Sequence, residues 1–67
     1  MNWKKLTNDP TLENYNILVK LGSFLYVCGT VHEVGQKGIY IIDDRGDIRG
    51  IPYGVDYIVI DEIGRQE

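Results

Sequence analysis

Apolar and polar positions along the chain form short segments separated by turns, most of which contain glycine. Near the N-terminus two periodicities overlap. Alternate positions, typical of a strand, are apolar at Tyr15, Ile17, Val19 and Leu21. Helical spacing is matched by Leu12, Tyr15 and Val19. Asp9 and Pro10 form a helix-start signal, because Asp caps free N–H groups and Pro is tolerated in the first turn. We therefore expect a short helix over residues 10–15, followed by a strand.

The middle of the chain has the composition of β-strands. Residues 24–34 are rich in β-branched and aromatic side chains. One face of this segment carries Leu25, Val27 and Val31. Gly29 interrupts that face, which predicts a bulge or bend. Residues 35–38 predict a turn, and residues 39–42 a short strand that is apolar on both faces and is the strongest candidate for a central strand.

A hairpin is predicted at residues 43–47, where Gly46 can adopt the left-handed conformation of a short loop. Residues 48–51 should return antiparallel to the preceding strand. Pro52 cannot donate to a β-ladder, so pairing should stop there or reach a sheet edge. The next elements are a turn at residues 53–54, a strand at 57–60 and a frayed tail at 64–67.

The pattern therefore predicts a single all-β domain with about five strands and a short N-terminal helix. Its parts are an arm and helix at residues 1–15, a barrel at 16–63 and a tail at 64–67. So small a sheet removes its edges best by curling into a barrel. We expect an SH3-like antiparallel barrel, with an OB-like barrel as the second choice.

Three segments resemble the repeating hairpins of SH3-like and KOW-type small barrels: residues 19–27, residues 29–31 and residues 38–46. The resemblance extends over roughly residues 17–63. These families include peptide binders, translation and transcription factors, and small phage or bacterial proteins. No proline-binding or RNA-binding motif is matched residue by residue, so the resemblance assigns no functional residue here.

Composition supports a β domain with one core. The chain has 67 residues, with nine Ile, six Val and five Tyr but no Ala. Cys28 is the single cysteine, which excludes an intramolecular disulfide and a Cys-rich zinc site. With neither a signal-peptide pattern nor a membrane-length apolar run, we expect a cytoplasmic protein with no membrane contact.

Seven Lys and Arg against ten Asp and Glu give a net charge of −3, which disfavours nucleic acid as a partner. The acidic residues cluster at Asp43, Asp44 and Asp47, and again at Asp56, Asp61, Glu62 and Glu67. Lys4, Lys5 and Lys20 lie near the other end of the domain in this interpretation. Two alternatives follow: scattered solubilising charge, or an acidic surface that steers onto a basic patch of a partner.

Candidate catalytic and metal-binding groups are sparse. Cys28 and His32 share a predicted strand, but four strand residues separate them by about 13 Å, too far for a nucleophile and its base. The Asp43, Asp44 and Asp47 turn lacks the EF-hand spacing and its distant Glu, and one His with one Cys cannot form a zinc site. We therefore expect no enzyme activity, no cofactor and no metal.

Five tyrosines are many for so small a core, so some should lie at the surface. Tyr26 should face away from Leu25 and Val27, and Tyr40 away from its neighbouring isoleucines, so that an aromatic strip crosses the outer face. The alternative is that the rings cap the ends of a barrel. Tyr is enriched in interface hot spots.

We therefore predict a protein-binding module, for example a phage or mobile-element accessory or inhibitor protein that occupies a host protein. The predicted partner-binding residues are Tyr26, Tyr40, Tyr53, Tyr57, Asp43, Asp44 and Asp47. The alternative is an RNA- or single-stranded-DNA-binding barrel with phosphate contacts from Lys4, Lys5, Lys20, Lys37, Arg45 and Arg49. Residues 39–42, apolar on both faces, also suit an oligomeric subunit, which leaves monomer and homodimer open.

Overall fold

Residues 2–60, which the computed structural model describes, form one six-stranded antiparallel sheet. The strands are β1 (Lys4–Lys5), β2 (Asn16–Lys20), β3 (Tyr26–Val34), β4 (Gly38–Asp43), β5 (Ile48–Pro52) and β6 (Asp56–Val59). Their order across the sheet is β1-β6-β2-β3-β4-β5. The predicted all-β class is confirmed, while the predicted tail at residues 64–67 lies outside the described residues.

The sheet is open rather than closed into a barrel. Its edge strands, β1 and β5, do not pair with each other within residues 2–60. The five predicted strands are all present, and the count rises to six because β1 also joins the sheet, with Lys4 opposite Tyr57 and Lys5 opposite Asp56. Two lysines show no apolar alternation, so this pairing arises from tertiary contact alone.

The predicted N-terminal helix is reduced to a single 3-10 turn at Pro10–Leu12. The capping role of Asp9 is confirmed, since its side chain accepts a backbone N–H of the turn at 3.1 Å. Asn14 then adopts a left-handed φ of 73°, which stops the helix. The Asn14 N–H donates to the Val31 carbonyl, and the Val31 N–H donates to the Tyr15 carbonyl, each at 2.8 Å. Pairing with β3 therefore overrides the helical spacing.

The core lies on one face of the sheet and is built from alternate positions of its strands. Val19 of β2 lies opposite Val27 of β3 and Tyr57 of β6, which places all three on this face. The buried members of the core are Leu6, Leu12, Ile17, Val19, Val31, Ile39, Ile41, Ile51 and Tyr57. The opposite side of the sheet, here called the outer face, presents Tyr26 and Tyr40 to solvent.

Strand β3 contains a bulge, but not at the predicted position. The register shifts between Val31 and Glu33, so His32 is the extra residue. Gly29 instead keeps regular pairing with Ile17. A Cβ added at Gly29 would lie 2.6 Å from the Ile42 carbonyl oxygen, so glycine is required there for close approach of β4 rather than for a bulge.

The predicted turns of the second half are confirmed. In the β4–β5 hairpin, the Asp43 N–H donates to the Asp47 carbonyl at 2.9 Å, and Gly46 has a φ of 85°. Strand β5 returns antiparallel to β4 and ends at Pro52 on the sheet edge. Gly54 turns the chain with a φ of 96°. Strand β4 pairs on both sides, as an interior strand should, but it is second from the edge rather than central.

Candidate binding surface

Tyr26 and Tyr40 are both exposed on the outer face, as the alternation predicts. Their side chains are 47% and 48% exposed. Tyr40 stands between Ile39 and Ile41, which are 1% and 0% exposed on the core side. The two rings do not form one strip, because Tyr26 begins β3 whereas Tyr40 pairs with Glu33 near the end of that strand. Seven strand residues separate these positions by about 20 Å, so they belong to two separate regions.

The region around Tyr26 combines aromatic rings with lysines. Tyr26 lies opposite Lys20, Lys20 opposite Asp56, and Asp56 opposite Lys5, so these four residues form one row across four strands. The Lys5 ammonium contacts the Asp56 carboxylate at 2.9 Å. The ring of Trp3 packs against that of Tyr26, with centroids 6.1 Å apart and planes inclined by 37°. This centroid distance lies within the range of interacting aromatic pairs.

Next to this row is the β2–β3 tip, defined as residues 21–25. The Leu21 N–H donates to the Leu25 carbonyl at 2.8 Å and closes the hairpin. Phe24 is 97% exposed, Leu25 58% and Leu21 37%. Leu25, which was predicted to share one face with Val27 and Val31, precedes β3 and is exposed in the tip, whereas Val31 is buried. Isolated exposed apolar residues are ordinary, whereas a contiguous group marks an interaction surface.

The region around Tyr40 is an open groove next to β5. A Cβ added at Gly50 would lie 3.6 Å from the Tyr40 ring, so the ring covers the glycine across the strand pair. The groove is also lined by Pro52, and by Glu33 and Lys37, which carry opposite charges. It offers an aromatic surface with mixed charge, and no cluster of groups for chemistry.

The other two predicted tyrosines have structural positions. Tyr57 is 7% exposed and belongs to the core, so it presents almost no surface to a partner in this fold. Tyr53 is half-buried, and its hydroxyl donates to the Gly35 carbonyl. That bond ties the turn after β5 to the β3–β4 turn. Alternation alone could not reveal these positions, because it does not say which face of a strand meets the core.

The acidic hairpin is organised around Asp43. Its carboxylate accepts the backbone N–H groups of Arg45 at 3.0 Å and Asp47 at 2.9 Å, and the Arg49 Nε at 3.0 Å. The Arg49 hydrogen bond, followed by the Asp47 N–H, holds the pKa of Asp43 below its ordinary value. The Asp43 side chain is 7% exposed, whereas Asp44 and Asp47 are exposed. Asp43 therefore stabilises the turn and offers little charge to a partner.

Charge is interleaved rather than separated into acidic and basic ends. Lys5 and Lys20 both flank Asp56, although the sequence interpretation placed the lysines at the other end from the acids. Residues 2–60 carry six Lys and Arg and seven Asp and Glu, so most of the net charge of −3 comes from residues 61–67. The described residues are therefore close to neutral overall.

Cys28 and His32 are both exposed. His32 is the extra residue of the β3 bulge, which interrupts the alternation of side chains along the strand. Counting four residues from Cys28 therefore no longer shows which face His32 occupies. Among residues 2–60, no group of three or more His, Cys, Asp or Glu side chains could hold a metal ion.

Two aromatic residues of this surface, Trp3 and Phe24, were missed by sequence reasoning. A signal was present for Phe24, since it follows Gly22 and Ser23 inside a turn, where an apolar side chain has no core to enter. Trp3 carried no comparable signal, because its place depends on the pairing of β1 with β6. The place of Trp3 beside Tyr26 therefore became visible only in the folded arrangement.

No helix within residues 2–60 is long and apolar enough to cross a membrane. Comparison with known proteins found no matching family model, no matching curated protein and no matching solved structure.

Proposed function

We propose that this domain is a non-enzymatic protein-binding module that contacts its partner through the β2–β3 tip and the adjoining rings of Tyr26 and Trp3. The observation that carries the proposal is Phe24, which is 97% exposed beside Leu25 at 58%. Burying a Phe or Leu side chain contributes about 1.5–3 kcal/mol each, so covering this tip would supply a large part of a binding free energy.

The surroundings of the tip suit an interface. Tyr and Trp are enriched among hot-spot residues, because their rings give a large contact area with few rotatable bonds. Tyr26 and Trp3 are already packed together, so little side-chain freedom would be lost on binding. The Lys5–Asp56 ion pair lies in the same cross-strand row as Tyr26 and provides a polar rim.

Affinity purification from the native host tests this proposal. The bait is the wild-type chain, compared with Phe24→Ser and with the control Ile48→Ser. Ile48 is also an exposed apolar residue, at 63%, but it lies on the far edge strand β5. We expect one stoichiometric protein with the wild type and with Ile48→Ser, and about tenfold less with Phe24→Ser, the equivalent of losing about 1.4 kcal/mol. Recovery of no protein above background would overturn the proposal.

The same purification identifies the partner. It therefore tests whether the partner is a host protein occupied by a phage or mobile-element inhibitor.

A second candidate function is binding of single-stranded nucleic acid. It is favoured by one arrangement, the Trp3–Tyr26 ring pair with Lys20 directly opposite Tyr26, since aromatic rings stack on bases while lysines contact phosphates. The near-neutral charge of residues 2–60 counts against it. A titration with labelled single-stranded DNA and RNA at low salt decides the matter. Binding that Tyr26→Ala weakens supports this candidate, and a flat titration removes it.

We also propose the SH3-like arrangement as the finer description of the fold. Its support is the run of consecutive antiparallel hairpins from β2 to β5, with β6 returning beside β2. A crystal structure of the whole chain tests it: a sheet that curves so that β2 to β6 enclose one core would support it, and a flat sheet would contradict it.

A further inference from the structure

The two edges of the sheet are protected to different degrees. Strand β1 is two residues long and consists of lysines, which is a common way to prevent pairing with another chain. Strand β5 has five residues, and its outer-face residue Ile48 is 63% exposed. Within residues 2–60 no strand pairs with the free side of β5. Of the common protective devices, β5 has a terminal proline, Pro52, and one charged residue, Arg49.

The hairpin register shows which backbone groups point away from β4. The Asp43 N–H donates to the Asp47 carbonyl, and hydrogen-bonded and non-hydrogen-bonded pairs alternate along an antiparallel ladder. Arg49 and Ile51 therefore direct their N–H and C=O groups towards β4. Ile48 and Gly50 direct both of theirs outward, and Pro52 directs its carbonyl outward. The free edge thus offers two donors and three acceptors in a regular row.

We propose that this edge pairs with β5 of a second copy of the chain, giving an antiparallel dimer with Gly50 at the two-fold axis. Gly50 lies opposite Gly50 of the second copy and exchanges two hydrogen bonds with it. On each side of the axis the Ile48 N–H donates to the Pro52 carbonyl of the other copy. This occupant is favoured because the sequence of the edge is complementary to itself in this register.

The neighbouring side chains support the same register. Ile48 packs against Pro52 of the second copy, which covers an exposed apolar residue. The rings of Tyr40 already cover Gly50, and in the dimer they flank a pair of side-chain-free glycines from both sides. Centring the axis on Arg49 instead would place two like charges directly opposite each other, which destabilises a strand pair. The Gly50 register avoids that contact.

The dimer should be weak, because pairing two edges of five residues each buries a small surface. Stable interfaces bury about 1,200 Å² or more in total. We therefore expect dissociation constants between about micromolar and millimolar. The β2–β3 tip has no part in this contact, so the inference stands apart from the proposed function.

Light scattering over a concentration series tests the dimer, with Gly50→Pro and Ile48→Lys as variants. Gly50→Pro removes an N–H that points away from β4, so it blocks the dimer while leaving the hairpin ladder intact. Ile48→Lys introduces a protective edge lysine. The matched control is Phe24→Lys, a similar change at the 97%-exposed tip. We expect the mass of the wild type and the control to approach twice the monomer mass, and both edge variants to dimerise about tenfold or more weakly.

Hydrogen exchange identifies the contact surface. The amide of Gly50 should exchange slowly at high protein concentration and rapidly on dilution, since no strand within residues 2–60 gives it an acceptor and the dimer does. A monomer across the whole concentration range overturns the proposal. So does a dimer that leaves the Gly50 amide unprotected, or one that both edge variants preserve, because either would place the contact elsewhere. Circular dichroism of each variant confirms that it is folded.

Discussion

Among single residues, Asp43 is held by several hydrogen bonds that also set its charge state. Its carboxylate accepts two backbone N–H groups of the β4–β5 turn and the Arg49 guanidinium. These contacts favour the charged form and lower the pKa of Asp43, with Arg49 as the largest cause. A lowered folded-state pKa stabilises the fold above the ordinary aspartate pKa of about 3.9. That contribution is lost as the pH falls through the lower, folded-state value.

Replacing Arg49 should therefore raise the pKa of Asp43. In Arg49→Met the guanidinium donor is absent, and we expect the pKa to move up towards its ordinary value, while the two backbone donors keep it from rising fully. An NMR titration of the Asp43 carboxyl carbon measures this shift. Arg45→Met is the control, because Arg45 contacts Asp43 through its backbone N–H. An unchanged pKa in Arg49→Met would show that the ion pair does not form.

Two glycines make a matched pair for testing close packing. Gly29→Ala should destabilise the fold by about 1–3 kcal/mol, because the new Cβ would lie 2.6 Å from the Ile42 carbonyl oxygen and force β3 and β4 apart. Gly22→Ala meets no atom within 4 Å and should change stability by less than about 1 kcal/mol. Urea unfolding of both variants measures the difference. Equal stabilities would mean that β4 does not approach Gly29 closely.

At the scale of elements, β1 is the strand that sequence reasoning missed, and it anchors a buried residue. Leu6 follows β1 and is 0% exposed. Its N–H donates to the Val55 carbonyl at 2.8 Å, and its carbonyl accepts the Gly54 N–H at 2.9 Å. Through Leu6 the N-terminal segment therefore packs into the core of the sheet.

Leu6→Ala tests that assignment. We expect a loss of about 2–5 kcal/mol in the free energy of unfolding, the usual cost of truncating a buried leucine. Leu25→Ala, at a 58%-exposed leucine, should cost less than about 0.5 kcal/mol. Chemical denaturation compares the two. If the variants lose stability equally, the packing of the N-terminal segment on the core is wrong.

Elements set by local chemistry were the ones that could be predicted. Gly46 and its neighbouring aspartates specify the β4–β5 hairpin, and Pro52 specifies the end of β5. Each of these residues favours its local structure through the conformation or hydrogen bonding of nearby backbone, so the sequence alone reveals it. The helix over residues 10–15 was wrong because Asn14 and Tyr15 bond to β3 instead. The bulge at His32 and the strand β1 depend on contacts between distant segments, which periodicity does not contain.

The candidate site was predictable to the same degree. Alternation assigned Tyr26 and Tyr40 to the outer face correctly. Alternation could not assign Tyr57 to the core, because it shows only that neighbouring side chains point to opposite faces. The structure places Tyr57 opposite Val19 on the buried face. Phe24 was included in the strand-forming segment 24–34, whereas it lies in the turn before β3, so alternation did not reveal its exposure.

At the scale of the whole molecule, two separate surfaces are available to partners. The β2–β3 tip and the Trp3–Tyr26 pair lie at one end of β3, whereas the β5 edge lies across the sheet from β3, on the far side of β4. Since residues 2–60 are almost neutral, contact at the tip should depend on apolar burial more than on charge.

Partner binding should therefore depend weakly on salt. Between about 50 mM and about 500 mM salt we expect the affinity of the purified partner to change by less than about fivefold, because apolar contacts are not screened. A nucleic-acid ligand held by several phosphate contacts would instead weaken by orders of magnitude over this range. A binding titration at several salt concentrations measures the slope, and a steep slope would favour the nucleic-acid candidate.

The most direct test of the binding surface is site-specific photo-cross-linking in the native host. A benzophenone amino acid replaces Phe24 in one variant and Gln36, exposed in the β3–β4 turn, in the other. If the β2–β3 tip is the contact surface, position 24 gives one discrete protein adduct and position 36 does not. Equal adducts at both positions, or an adduct only at position 36, would contradict the proposal that the tip binds the partner.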